Sequence, residues 1–95
     1  MSAHPSIKVQ IPGVLRSDCE GLRELSLAAS TVRDALEAIE ARYPRLHRSV
    51  CDDTGAVRRH INIFVNNSNI RDGEGVDTAL VSGDVLTILP AVSGG

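Results

Sequence analysis

The chain has 95 residues and a mass of 10.1 kDa, the size of one small domain. Hydrophobic residues make up 42% but aromatics only 2%, with one Phe, one Tyr and no Trp, so a thin aliphatic core with little room for a deep cavity is expected. Ten basic and twelve acidic residues leave a net charge of −2; with no cationic excess and no rings for base stacking, nucleic acid is excluded as a primary partner.

Met1 to Ser6 has neither a cationic stretch nor an apolar one, and no run approaches the ~20 apolar residues of a membrane span, so a cytoplasmic protein without a membrane partner is expected. Ile7-Lys8-Val9-Gln10-Ile11 alternates apolar and polar residues, the mark of a half-buried strand. Pro12-Gly13 breaks it, and the polar stretch through Gly21 reads as a hairpin loop before a second alternating strand at Glu24-Leu25-Ser26-Leu27. At Thr31 the period changes: Val32, Ala35, Leu36, Ile39 and Tyr43 share one helical face, and Thr31 with Asp34 has the form of a capping box. Pro44 closes this helix, because the residue before a proline is pushed out of helical geometry. Residues 45 to 60 show little periodicity and read as a long exposed loop with room for a turn of helix.

Ile61-Asn62-Ile63-Phe64-Val65 is the clearest strand. Alternation sends Ile61, Ile63 and Val65 inward and leaves Phe64 facing out. Asn66 to Asn69 reads as a turn, Ile70-Arg71 as a short edge strand, and Ser82-Gly83-Asp84 as a tight turn into the last strand, Val85-Leu86-Thr87-Ile88-Leu89. There Leu86 and Ile88 point in while Leu89 points out, next to a tail of Pro90, Ala91, Val92, Ser93, Gly94 and Gly95. A single main helix can cover only one face of a sheet, so the order predicts a two-layer α+β domain of β-grasp type, a mixed sheet packed on that helix.

The chemistry-bearing residues are otherwise sparse. Cys19 and Cys51 lie 32 positions apart without metal-ligand spacing and read as reduced thiols. His4, His47 and His60 share no ligand spacing, Arg58-Arg59-His60 reads as a solvated loop, and no catalytic triad or phosphate loop is present, so no metal and no resident cofactor are expected. An iron–sulfur role is excluded, since two cysteines cannot supply four ligands.

The turn Gly83-Asp84, the strand Val85 to Leu89 and the ending Pro90-Ala91-Val92-Ser93-Gly94-Gly95 resemble the ubiquitin-like sulfur carriers, the family of the molybdopterin synthase small subunit and the thiamine sulfur carrier. Within it, Ile11-Pro12, Leu15-Arg16, Ile61 to Asn66 and Thr87 to Val92 look most like the carrier of thiocarboxylate-dependent cysteine synthesis. The resemblance implies one carrier domain over 1–95, with 1–5 as a flexible N-terminus and 90–95 as an extended tail. It implies a protein cosubstrate rather than an enzyme. A separate adenylating enzyme would use ATP and magnesium to activate the carboxylate of Gly95, and a sulfur donor would convert it to a thiocarboxylate. A sulfur-accepting synthase would then receive sulfide, with a tail-trimming metalloprotease as a further candidate partner. Gly94 and Gly95 suit a narrow channel because they lack a Cβ, and six extended residues from Pro90 would reach roughly 20 Å. Phe64, Leu89, Pro90, Ala91, Val92 and Ser93 are the expected docking surface. The same features leave open a modifier joined through Gly95 to lysines, or a subunit embedded in molybdopterin synthase.

Overall fold

The computed structural model describes residues 4–91. Five strands form one mixed sheet in the order β2-β1-β5-β3-β4: β1 Ser6–Gln10, β2 Glu24–Ala28, β3 Ile61–Val65, β4 Ser68–Asn69 and β5 Val85–Pro90. β1 pairs antiparallel with β2 and parallel with β5, and β3 runs antiparallel to both β5 and β4. The opening hairpin, the covering helix and the return of the last strand beside the first make this the β-grasp fold that the strand order predicts.

The helix begins where its cap lies. Thr31 is extended, and its Oγ1 accepts the Asp34 amide at 3.1 Å, satisfying one of the orphan N–H groups of α1, Val32–Arg42. Val32, Ala35, Leu36 and Ile39 are all buried on the face this spacing predicts, while Tyr43 sits at the helix end, partly buried against the core. Alternate residues of four strands meet them from the sheet: Ile7 and Val9, Leu25 and Leu27, Ile61 and Ile63, Leu86 and Ile88. The fully buried core contains no aromatic ring.

Three readings need correction. Residues 45 to 60 are not one exposed loop: α2 spans Pro44–Val50 directly after α1 and buries Leu46 and Val50, with Cys51 sealed at its end. Pro44 does end α1, but its fixed φ and missing N–H also suit the first position of the next helix. The polar stretch after β1 is not plain loop either, because a 3-10 helix at Gly13–Cys19 runs through it and buries Cys19. This turn is clasped to α2, where the Ser49 hydroxyl donates to Asp18 Oδ2 at 2.6 Å and Arg45 lies 3.8 Å from Asp18 Oδ1. Finally, the short edge strand is Ser68–Asn69 rather than Ile70-Arg71, which open a 3-10 turn, Ile70–Asp72. Asn66, at φ 55°, turns the chain early enough for Ser68 to pair with Val65.

Candidate functional site

Because both helices cover one face of the sheet, the other is open. Alternation brings Lys8 and Gln10 of β1, Glu24 and Ser26 of β2, Asn62 and Phe64 of β3, and Val85, Thr87 and Leu89 of β5 onto it. The register sets Gln10 beside Thr87, Thr87 opposite Phe64, and Leu89 opposite Asn62. Phe64 and Leu89 are therefore diagonal neighbours on adjacent strands, within reach of an aromatic side chain. Phe64 is half-buried between its cross-strand partners Thr87 and Asn69, and Leu89 is 44% exposed. The parity read from the sequence is the parity of β3 and β5: Ile61, Ile63, Leu86 and Ile88 are buried, and Val65 packs against the core from its rim.

The turn that aims β5 is fixed by side chains. Gly83 adopts φ 93°, a region other residues avoid, and Asp84 Oδ2 accepts the Val81 amide at 2.9 Å while its Oδ1 accepts from Asn66 Nδ2 at 3.0 Å. At the other end β5 continues through Pro90, whose register partner is Ile61, and the Ala91 amide donates to the His60 carbonyl. Pro90 contributes no donor, so it suits a position where the ladder is ending. Val92, Ser93, Gly94 and Gly95 lie outside the described residues.

Beside Leu89, the end of β5 and the β1–β2 connection enclose a groove of about 470 Å³, with Ile11, Pro12, Arg16, Arg23, Glu24 and Leu89 among its walls. Sequence reasoning did not single out Arg16 or Arg23 as site residues. The parallel pairing of β1 with β5 brings them beside Thr87, Ile88 and Leu89, across more than sixty positions of sequence.

The described residues offer no set of catalytic groups elsewhere. Burial pushes the Cys51 thiol up to about 11, aided by the nearby Asp52 and Glu40 carboxylates, and burial also raises Cys19, whose Sγ lies 3.5 Å from the Leu22 carbonyl. Neither is a ready nucleophile. Asp52 is held below the usual carboxylate range because it accepts from the Thr54 hydroxyl and amide and from the Ala56 amide. Its role is to fold the loop after α2. His4 meets the Ser30 hydroxyl at 3.0 Å and His47 lies 3.8 Å from Glu40, and no group of three or more metal-ligating side chains occurs among the described residues. None of the described helices is long and apolar enough to cross a membrane.

A sheet covered by helices on one face only, an open apolar diagonal and a last strand running out beside it define a ubiquitin-like carrier. The ThiS family model matches residues 9–95, and the chain belongs to this family of ubiquitin-like sulfur carriers. It is 35% identical over 92 residues to the sulfur carrier protein CysO of Mycobacterium tuberculosis, covering 95% of this chain and 99% of that protein. The crystal structure of that CysO superposes with a TM-score of 0.83 at 34% identity, over 90% of this chain and 99% of the other. CysO of Amycolatopsis orientalis, solved in complex with BexX, gives 0.85 at 31% identity over 94% and 99%. The small archaeal modifier protein 1 of Methanosarcina acetivorans gives 0.84 at 34% identity, over 99% and 100%. These relatives are named as carriers and modifiers, not as catalysts.

Proposed function

We propose that this protein carries sulfur as a thiocarboxylate on Gly95 and delivers it for cysteine biosynthesis. In this reading an oxygen of the Gly95 carboxylate attacks the α-phosphorus of ATP on a separate, magnesium-using enzyme, and pyrophosphate leaves. Sulfide from a donor then attacks the acyl carbon, AMP departs with one of the carboxylate oxygens, and the C–S bond remains. The acceptor synthase takes the sulfur, and hydrolysis returns the carboxylate. Phe64 and Leu89 seat the partner on the open face, Pro90 and Ala91 aim the tail, Val92 and Ser93 extend the contact, and Gly94 clears the channel.

The observation that carries the reading is the near full-length likeness to CysO, joined to an open sheet face next to the outgoing strand. Incubating the chain with the adenylating enzyme of its own genome, ATP, magnesium and a sulfur donor should exchange one oxygen for sulfur, read by intact mass. Deleting Gly95 should abolish the exchange, and a wild-type chain that never gains sulfur sinks the proposal.

Likeness to a small archaeal modifier protein favours a second reading, conjugation through Gly95 to lysines. Denaturing gels of cell extract separate the two. Higher-mass adducts that vanish with Gly94 and Gly95 belong to a modifier.

A further inference from the structure

The groove beside Leu89 has walls of two kinds. Ile11, Pro12 and Leu89 give it apolar walls, and Arg16 and Arg23 line it beside them. Arg16 is half-buried and anchored, its Nε donating to the Ile11 carbonyl at 3.1 Å, which leaves its terminal nitrogens unused among the described contacts. Arg23 is exposed and makes no side-chain hydrogen bond or ion pair among the described residues. Across the outgoing strand stands exposed Arg59, two residues before the Ile61 that pairs with Pro90. The one carboxylate lining the groove, Glu24, is shared with Lys8 at 3.8 Å.

This local balance runs against the whole. The chain carries twelve acidic and ten basic residues. Yet the open face and the strand exit hold Lys8, Arg16, Arg23 and Arg59 against Glu24. Two arginines elsewhere are committed inside the fold, Arg33 to Asp77 at 3.0 Å and Arg71 to Asn62 Oδ1 at 2.6 Å and the Arg58 carbonyl at 2.9 Å, while exposed Arg48 on the helix side makes no such contact among the described residues. Guanidiniums with nitrogens left free, those of exposed Arg23 and of half-buried Arg16 beyond its Nε, lining an apolar groove, suit the carboxylates of a second protein.

We infer that Arg16 and Arg23, with Arg59 across the exit, form a cationic collar that docks an acidic rim on the adenylating enzyme, around the opening that receives the tail. The inference rests on the sulfur-carrier reading and adds the chemistry of the partner surface. Apolar contact at Phe64 and Leu89 supplies the centre of such an interface, and the collar supplies its orientation and the rate of encounter.

The test is ATP–pyrophosphate exchange by the adenylating enzyme of the same genome, with the full chain as substrate. Arg23→Glu should raise the KM for the carrier about tenfold at low salt and leave kcat in place. Arg33→Glu, the same charge change on the helix side, should leave both within about twofold. At ~1 M salt, where screening acts within ~3 Å, the difference between the two variants should largely vanish. Arg16→Lys, which keeps the charge, should stay near the wild type while Arg16→Glu does not, with thermal melting confirming that both fold. Exchange that is robust for the wild type and no more sensitive to Arg23→Glu than to Arg33→Glu overturns the collar alone. A wild-type chain that supports no exchange overturns the carrier reading and the collar with it.

Discussion

Cys51 closes α2 with its thiol turned into the core, 1% exposed. An ordinary thiol titrates near 8.5, whereas burial holds this one up to about 11 in the folded chain. Between those values the unfolded chain has released a proton that the folded chain keeps, so stability is full below about pH 8.5 and falls as pH rises toward 11. Urea unfolding at pH 8 and pH 10.5 should show a loss of about 2 kcal/mol that shrinks in Cys51→Ala. Iodoacetamide should label neither Cys19 nor Cys51 in the native protein at pH 8 and both after unfolding, since each is buried. Thr31→Ala should cost about 1 kcal/mol through the lost cap. The cap was legible because its signal is local, a threonine just before a helical period. The burial of a cysteine has no such signature, and here it depends on a helix the sequence scarcely announces.

That helix marks the difference between legible and illegible elements. α1 repeats its apolar stripe over three turns, and the strands alternate over five or six residues, enough for a period to stand out. α2 has seven residues and one apolar pair, Leu46 and Val50, so no period can emerge; tertiary contact decides its state. Its partner is the 3-10 turn at Gly13–Cys19, more than twenty-five positions away, which reads as loop for the same reason. Leu46→Ala should therefore destabilise the protein by about 2–4 kcal/mol in chemical unfolding, a core penalty rather than the near-zero cost expected of an exposed loop. Asp18→Ala should cost about 1–2 kcal/mol, and Ser49→Ala should add little on top of it, since both remove the same hydrogen bond.

Across the whole molecule the sheet divides the work: its covered face holds the fold and its open face is free for contact. Phe64 could be assigned to the open face from sequence because a period of two admits only two answers, and the apolar neighbours Ile61 and Ile63 choose between them. Phe64→Ala should accordingly cost about 1 kcal/mol or less in thermal or urea unfolding, against about 2–5 kcal/mol for Ile63→Ala in the core. In the docking assay the order should reverse, with Phe64→Ala and Leu89→Ala each weakening carrier binding by about tenfold or more. The groove with Arg16 and Arg23 was not legible, because it exists only once β5 lies parallel to β1. No local pattern encodes a juxtaposition of that range.

Pro90 and Ala91 remain tied to the rim of β3, one by register and the other by the His60 carbonyl. Gly95 is four residues beyond Ala91, so covalent geometry confines it to about 14 Å from that anchor, shorter than the roughly 20 Å available to a tail starting at Pro90. The anchored strand end then behaves as a depth gauge. On the proposed carrier role of Gly95, a partner whose reacting atoms lie deeper than this below its docking rim would not be served, however well the two surfaces match.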